Sequence, residues 1–286
     1  MPRGGGLMAP GARLLFLLAV WTLAALARRG AGKAGDGGWQ RPGPGAPAAL
    51  AEEQRCAVER RADLSYSEFV QQYVRPLALA TPPTPHYAFS RPVILQGLTD
   101  NSRFRALCSR ERLLASFGDS VVRLSTANTY SYRKVDLPFQ EYVEHLLYPQ
   151  DPTSLGNDTL YFFGDNNFSE WASLFQHYSP PPFSLLGTTT AYSFGIAGAG
   201  SGVPFHWHGP GFSERWFLYP PEKTPEFHPN KTTLAWLQDM YPTLAPSARP
   251  LECTVQAGEQ VLYFPDRWWH ATLNLDTSVF ISTFLS

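Results

Sequence analysis

The sequence predicts a mainly β fold of the jelly-roll type, and three stretches of the chain carry that prediction. A run from Thr188 to Phe194 alternates β-branched and aromatic residues with the period of a strand. Phe205 to His208 reads as a further extended segment. Four short strand-like runs follow at the spacing of a jelly roll, at 254–259, 261–265, 269–274 and 279–284. At 286 residues, an all-β chain of this kind is commonly a single domain.

The N-terminal residues 1–27 read as a secretory signal peptide. Arg3 and Arg13 precede an apolar run from Leu14 to Ala27, which ends in Ala25, Leu26 and Ala27. A basic start, a short apolar core and a small-residue end are typical of a cleaved signal. The run is shorter than the roughly 20 residues of a membrane span, so no stable span is expected. An uncleaved signal anchor is the alternative, and it too would leave the rest of the chain facing the lumen.

The next two segments precede the folded domain. Residues 28–50 are rich in Gly, Pro and Ala and are predicted to form a disordered linker. Residues 51–86 are predicted to form an N-terminal helical segment, because charged and apolar residues recur there at helical spacing. Ser65 and Glu68 have the spacing of a capping box at the start of a helix. The folded domain is therefore expected to occupy residues 87–286.

The first half of this domain mixes both kinds of element. We expect strands at 91–97, 121–124 and 160–164, and helices at 103–117, 137–147 and 232–241. The run that contains Gly195, Gly198, Gly200 and Gly202 is expected to form a flexible lip beside the histidines that follow it.

Two histidines on one strand carry the strongest functional signal. If residues 205–208 are extended, His206 and His208 point to one face and Trp207 to the other. Neutral imidazole suits zinc, iron, copper or nickel, and His270, on a distant strand, is the natural third ligand. The alternative is that these are partly buried histidines, satisfied by backbone carbonyls among core aromatics.

The order of motifs around these histidines resembles the JmjC (jumonji C) domain family. The matching stretches are 206–208 (His-Trp-His), 215–221 (Arg-Trp-Phe-Leu-Tyr-Pro-Pro), 257–259 (Ala-Gly-Glu), 263–265 (Tyr-Phe-Pro) and 268–275 (Trp-Trp-His-Ala-Thr-Leu-Asn-Leu). The resemblance covers residues 87–286. It implies a double-stranded β-helix of the cupin type and a relation to iron(II)- and 2-oxoglutarate-dependent oxygenases, with His206, His208 and His270 at the ligand positions.

The chain departs from that family at two places. JmjC oxygenases hold iron with His-x-Asp or His-x-Glu and a distal His, so an imidazole at position 208 replaces the carboxylate that is tied to oxygen activation. Three neutral imidazoles still suit Fe(II) or zinc. Only six residues separate His208 from Arg215, whereas the family has a strand and a Gly-x-Lys turn that binds 2-oxoglutarate. The sequence therefore predicts a barrel that lacks one strand after His208, and it argues against 2-oxoglutarate as a co-substrate.

These features predict a lumenal protein with a degenerate metal and 2-oxoglutarate site, which binds or regulates other proteins instead of catalysing a reaction. The alternative is an active iron(II)- and 2-oxoglutarate-dependent hydroxylase of protein side chains, with Tyr192 or Arg215 near the co-substrate. A net charge of −1 gives no sign of a nucleic-acid partner.

The expected compartment is the lumen of the endoplasmic reticulum, which is inferred from the resemblance. Secretion is the alternative, because the last three residues, Phe-Leu-Ser, are not a retrieval signal. Three sequons, at Asn157, Asn167 and Asn230, are expected to carry glycans. The three cysteines, Cys56, Cys108 and Cys253, allow at most one intramolecular disulfide, and buried free thiols are the alternative.

Overall fold

A computed structural model describes residues 37–39, 47–50, 56–70, 87–130, 133–182, 190–206, 215–255 and 260–285. Within these ranges lie eleven strands and seven short α-helices, so the predicted mainly β class is confirmed. The strands are β1 (Glu59–Arg61), β2 (Val93–Gln96), β3 (Val121–Thr126), β4 (Lys134–Pro138), β5 (Leu160–Phe163), β6 (Thr190–Ala197), β7 (Arg215–Tyr219), β8 (Leu251–Thr254), β9 (Gln260–Tyr263), β10 (Trp269–Leu273) and β11 (Ser278–Leu285).

The helices are short. They are α1 (Tyr66–Val70), α2 (Tyr87–Ser90), α3 (Ser102–Leu107), α4 (Arg110–Phe117), α5 (Phe139–Glu141), α6 (Ala172–Phe175) and α7 (Thr233–Asp239). A π-helical turn, Tyr142–Leu146, continues α5. The 3-10 turns are Ala48–Leu50, Tyr241–Thr243 and Pro246–Ala248. No helix in the described part of the chain is long and apolar enough to cross a membrane; the apolar run at 14–27 lies outside that part.

Three sheets organise the strands. The largest has the order β11-β6-β5-β3-β4, and two three-stranded sheets have the orders β10-β7-β8 and β1-β2-β9. Every pair is antiparallel except β1 with β2. Neighbours in each sheet are mostly distant in the sequence, so residues far apart in the chain meet across one ladder.

The five-stranded sheet separates two environments. Phe162, Phe194 and Ile196 point to the face that α3, α4, α5 and α6 cover, where they pack with Trp171 and other large apolar side chains. Because side chains alternate along a strand, the neighbouring Tyr161, Phe163 and Ala197 point to the opposite face and pack with Phe280. That opposite face borders the candidate site.

The sheet β10-β7-β8 also has two different faces. Phe217, Tyr219 and Ala271 pack against Phe205 and against the buried side of α7. Thr232 begins that helix, and its hydroxyl accepts a hydrogen bond from the backbone N–H of Ala235 at 3.1 Å. The other face presents Trp216 and Leu218, which pack with residues of β8 and β9.

Several predicted elements differ from the structure. The predicted helix at 103–117 is two helices, α3 and α4, because Ser109 is extended (φ −64°, ψ 146°) and interrupts the helical path. The backbone N–H of Arg110, at the start of α4, donates to the carbonyl of Gly37 at 2.8 Å. Strand β1 lies inside the segment predicted to be helical, and β4 and α6 were not predicted. Strand β8 ends at Thr254, where the predicted strand begins.

The N-terminal predictions fall partly outside the described residues. The signal peptide at 1–27 does so entirely. The capping box is confirmed: the backbone N–H of Ser65 donates to Glu68 Oε2 at 2.9 Å, and the backbone N–H of Glu68 donates to Ser65 Oγ at 3.3 Å. Inside the predicted linker, Trp39 is buried and its indole donates to the carbonyl of Cys108 at 2.9 Å, and Leu50 packs in the cluster with α7.

The three cysteines divide into a pair and a buried thiol. Cys56 and Cys253 form a disulfide across 197 residues of chain, which joins the N-terminal segment to β8. Cys108 is free and buried, and burial raises the pKa of its thiol to about 12. The thiol of Cys108 is therefore protonated and unreactive at neutral pH.

The glycine-rich run does not form a flexible lip. Residues 194–202 are all buried, and Gly195 and its neighbours lie within β6. A Cβ atom on Gly202 would lie 1.9 Å from the carbonyl oxygen of Thr272. Glycine is required there because the backbone before the histidines packs directly against the backbone of β10.

Candidate metal and ligand site

His206 and His270 are brought together by a backbone bridge. The N–H of His206 donates to the carbonyl of His270 at 3.1 Å, and the N–H of His270 donates back to the carbonyl of His206 at 2.8 Å. Their ring centroids lie 4.1 Å apart. Side chains directly opposite in an antiparallel pair share a face, so this bridge holds the two imidazoles side by side.

An extra residue on the histidine strand adjusts this pairing. Thr272 N–H donates to the carbonyl of Val203 at 3.1 Å, and the next pairing is His206 with His270. His206 is three positions after Val203, whereas His270 is only two positions before Thr272. The histidine strand therefore has one extra residue between the two pairings, which is the arrangement of a β-bulge. Pro204 lies within the bulge, where its lack of an N–H leaves no donor without a partner. Bulges of this kind re-aim a side chain, here that of His206.

Both imidazoles are anchored through the same nitrogen. His206 Nδ1 lies 2.8 Å from the carbonyl oxygen of Pro204, and His270 Nδ1 lies 3.1 Å from that of Trp268. A carbonyl oxygen can only accept, so each Nδ1 donates its N–H, and in the neutral ring the lone pair lies on Nε2. Metal-binding histidines are commonly oriented by such a hydrogen bond from the other ring nitrogen.

The two histidines differ in exposure. His270 is 1 % exposed and packs against Phe264, whose ring centroid lies 4.6 Å away, while His206 is half-buried. The ring of Trp216 also lies near that of His270, at a centroid distance of 5.8 Å. The pair therefore has an aromatic wall behind it and an opening on the side of His206.

These two residues fit two positions of a metal site. The third predicted ligand, His208, and the whole spacer up to Glu214 lie outside the described residues. Among the residues that the structure does describe, no three His, Cys, Asp or Glu side chains form a group that could hold a metal. The described part of the site is thus a pair of oriented imidazoles.

A cleft opens beside His206. It measures about 180 Å³, and its polar lining includes Ser125, Thr129, Lys134, Tyr161 and Asp165. None of these was identified from the sequence as a site residue. Lys134 lies on a strand that was not predicted, so its pairing with Ser125 across the β3–β4 ladder could not be foreseen. Tyr161 lies on the predicted strand at 160–164, but periodicity alone does not say which face of a strand lines a cavity.

Arg215 does not lie with the histidines. It is opposite Leu273 in the β7–β10 ladder, whereas His270 is opposite Leu218, so the two side chains point to different faces of the sheet. The buried guanidinium of Arg215 forms an ion pair with Glu252 and also donates to the carbonyl of Ala49 at 3.3 Å. Glu252 in turn accepts from the hydroxyl of Tyr241 at 2.7 Å.

Tyr192 is also on the wrong face for the cleft. In β6 it shares the side of Phe194 and Ile196, which point to the helix-covered core. Its ring packs edge-on against Tyr178 at 5.6 Å. The two residues expected near a co-substrate are therefore not brought together with each other or with the histidine pair.

The three sequons differ in accessibility. Asn157 and Asn167 are exposed, and Asn230 is half-buried. The side chain of Asn167 accepts from the backbone N–H of Glu170 at 3.2 Å. Asn230 Oδ1 lies 3.5 Å from Nδ2 of Asn128, which is itself fully buried. Asn157 is thus the sequon with the fewest structural constraints among those described.

Comparison with known proteins identifies relatives along almost the whole chain. This chain is 78 % identical over 284 residues to JmjC domain-containing protein 8 of Homo sapiens, and the match covers 97 % of this chain and 100 % of that protein. The protein of the same name from Rattus norvegicus is 74 % identical over 278 residues, covering 95 % of this chain and 97 % of that protein.

A more distant relative and the family comparison complete this result. Lysine-specific demethylase JMJ21 of Arabidopsis thaliana is 30 % identical, and the match covers 79 % of this chain but 25 % of that protein. No family profile matches the chain. The full-length relatives at 74 and 78 % identity confirm the resemblance seen in the motifs around the histidines. The chain belongs to the JmjC domain family.

Proposed function

We propose that this chain is a lumenal JmjC-fold protein with a double-stranded β-helix and a degenerate metal site, which acts by binding or regulating other proteins. One observation carries the proposal. The backbone bridge places His206 and His270 side by side at two of the family's ligand positions, and the remaining position, 208, holds an imidazole in place of a carboxylate.

The metal in this proposal is Fe(II) or zinc, held by His206, His208 and His270. Such a metal supplies Lewis-acid chemistry and, with a carboxylate among its ligands, oxygen activation. The chain's own contribution is orientation: the carbonyls of Pro204 and Trp268 accept hydrogen bonds from Nδ1 of His206 and His270, which directs Nε2 of each ring toward the metal position. Three neutral ligands leave the centre one charge unit more positive than the family's usual ligand set.

Two features support a role without turnover. Position 208 lacks the acidic ligand on which the family's oxygen chemistry depends. Arg215, the cation nearest in the sequence to the family's Lys, is buried on the opposite face of β7 in an ion pair with Glu252. It is therefore committed to the fold and is not available to a co-substrate.

The lumenal address rests on three independent features. A basic and apolar N-terminus reads as a signal peptide, two sequons lie at exposed positions, and Cys56 is bonded to Cys253. Structural disulfides are typical of oxidising compartments. In cells, Asn157→Gln is expected to remove one glycan and increase gel mobility, and endoglycosidase H sensitivity separates retention in the endoplasmic reticulum from secretion. A chain that carries no glycan contradicts this address.

An iron(II)- and 2-oxoglutarate-dependent hydroxylase is the second candidate. The cleft beside His206 favours it, because it provides a polar space that contacts one of the histidine rings. The decisive assay incubates purified protein, loaded with Fe(II), with 2-oxoglutarate and a mixture of lumenal proteins, and follows succinate. Our proposal expects no succinate above a boiled-protein control. Succinate release that His270→Ala abolishes and His145→Ala, an exposed control, preserves would establish the hydroxylase instead.

A further inference from the structure

A second cleft reaches the helix-covered side of the five-stranded sheet. Its buried lining is formed by Val122, Phe162 and Trp171, which belong to the apolar core on that side. Asn167, one of the three predicted glycosylation sites, lines the same cleft, which we call the Asn167 cleft. A glycan on Asn167 therefore begins at the wall of a cavity.

The Asn167 cleft lies where β5 has ended and β3 has not. In the part of the chain that the structure describes, β5 pairs with Leu124–Thr126, and Val121–Arg123 have a strand partner only on the β4 side. Alternate residues of an antiparallel strand turn their N–H and C=O away from a given neighbour, so at least one of these three residues offers both groups to the open side. An acetamide, with one N–H and one C=O, matches such an edge. The first sugar of an N-linked glycan, N-acetylglucosamine, has an acetamide group.

The rim of the cleft suits the hydroxyl groups of a sugar. The guanidinium of Arg123 donates to the two carboxylate oxygens of Asp136, at 2.7 Å each, and the two side chains are 52 % and 47 % exposed. Their remaining N–H groups and lone pairs match hydroxyls, which both donate and accept. The volume of about 160 Å³ is below that of drug-sized ligand sites, so the cleft has room for one sugar and not for a branched glycan.

The side chain of Asn167 is held in one orientation. Its Oδ1 accepts from the backbone N–H of Glu170 at 3.2 Å, and its Nδ2 donates to Glu170 Oε2 at 3.2 Å. Glycosylation uses one of the two N–H bonds of Nδ2 and leaves Oδ1 unchanged, so the contact with the Glu170 N–H persists. The attachment atom is therefore fixed beside the cleft. Asn157 is exposed and is not among the residues that line this cleft.

We propose that the first N-acetylglucosamine of a glycan on Asn167 occupies the Asn167 cleft and stabilises the fold. In the transfer, a bond forms between Nδ2 and C1 of the sugar, the bond from C1 to a lipid-linked pyrophosphate breaks, and the pyrophosphate and one amide proton leave. The seated sugar then turns its acetamide to the open backbone of β3 and its hydroxyls to Arg123 and Asp136. This inference rests on the proposed function only for the lumenal address, where the lipid-linked donor is found.

The test compares melting temperatures of full-length chains made in cells that attach high-mannose glycans. Endoglycosidase H leaves a single N-acetylglucosamine on each site, so the trimmed wild type should melt with the untrimmed protein. Ser169→Ala removes the sequon while keeping Asn167 and its contact with the backbone of Glu170. It should melt about 2–4 °C lower, the shift expected when one ordinary contact is lost from a domain of this length. Ser169→Thr, which keeps the sequon, and Asn157→Gln should both melt with the wild type.

A second variant separates a seated sugar from a local effect of Ser169. Arg123→Gln removes donors at the rim, so it should lower the melting temperature of the glycosylated chain more than that of Ser169→Ala, as contact between the two groups requires. Equal shifts in both backgrounds, or equal melting temperatures for the trimmed wild type and Ser169→Ala, would overturn the inference.

Gel mobility distinguishes failure of this inference from failure of the lumenal address. If Asn157→Gln changes the mobility and Ser169→Ala does not, Asn167 carries no glycan, and the inference fails while the address stands. A chain without any glycan contradicts both.

Discussion

Two ion pairs in this chain join the same types of charged group, a cation and a carboxylate, but one pair is buried and the other is half-exposed. Arg215 of β7 and Glu252 of β8 are buried, and the carbonyl of Ala49 and the hydroxyl of Tyr241 complete their hydrogen bonds. Lys134 and Asp165 are half-exposed at the mouth of the cleft beside His206. The first pair is committed to the fold, whereas the second stays open to solvent.

The comparison shows that distance along the chain is a poor guide to a site in a β fold. Arg215 follows the His-Trp-His motif by seven residues, yet the strand parity of β7 directs it away from His270. Lys134 precedes the motif by 72 residues, yet the β3–β4 register places it in the cleft that contains His206. Pairing between strands decides which charges meet.

The largest expected effect comes from breaking the buried pair. Glu252→Gln leaves the guanidinium of Arg215 buried without its counter-charge, and we expect the free energy of unfolding to fall by about 3–5 kcal/mol. Urea denaturation followed by tryptophan fluorescence measures this change. The double variant Arg215→Met with Glu252→Met is expected to recover much of the loss, since it removes both charges together. A single variant as stable as the wild type would show that the pair is not buried as described.

The disulfide sharpens the contrast, because it fastens the N-terminal segment to the strand that carries Glu252. Besides the covalent bond, the N–H of Ala57 donates to the carbonyl of Glu252 at 2.9 Å. Cys56→Ser is expected to lower the free energy of unfolding by about 2–5 kcal/mol. Reduction with dithiothreitol should lower the melting temperature of the wild type and leave that of Cys56→Ser unchanged. Insensitivity of the wild type to reduction would contradict the pairing.

A smaller effect is expected where the backbone supports the histidines. Gly202→Ala places a methyl group against the carbonyl of Thr272, and such overpacking typically costs about 1–3 kcal/mol. The strand that leads to His206 has to shift, so metal content should fall together with stability. Gly97→Ala is the control: it strains a left-handed turn after β2 (φ 66°) without meeting a neighbouring atom, and it should retain metal. Unchanged metal content in Gly202→Ala would separate Gly202 from the site.

The smallest change in stability is expected at the cleft. Lys134→Gln breaks an ion pair that is nearly half exposed, and such pairs contribute about 0–1 kcal/mol. Urea denaturation should therefore hardly distinguish this variant from the wild type. A loss of stability comparable to that of Glu252→Gln would mean that Lys134 is structural, and the contrast between the two pairs would disappear.

Local sequence patterns predicted two strands near the histidines, because β-branched and aromatic residues are frequent in them. The alternating residues that end at Phe194 lie in β6, and the aromatic run around His270 lies in β10. The break of the predicted helix at Ser109 could not be foreseen, because it depends on the carbonyl of Gly37, which is distant in sequence. Strand β4 was missed although Lys134–Pro138 alternate polar and apolar residues, because the run is short and its last two residues were assigned to the predicted helix at 137–147. Pairing with β3 stabilises this strand.

The candidate site, like the fold, was predicted only in part. The sequence predicted that His206, His208 and His270 converge, and the structure pairs His206 with His270 by a backbone bridge. Tyr192 and Arg215 were predicted to lie near the co-substrate. Each lies on a strand near the site, but its side chain points to the other face of its sheet. Periodicity gives the two faces of a strand, and only tertiary pairing tells which of them borders a cavity.

Metal stoichiometry tests the central claim most directly, which is that the oriented imidazoles of His206 and His270 hold a metal. Purified chains are incubated with zinc, desalted and analysed by mass spectrometry of the metal. We expect about one zinc per wild-type chain and per His145→Ala chain, with less than a tenth of that in His206→Ala and in His270→Ala. Full zinc content in either of those two variants, while both remain folded, would contradict the account.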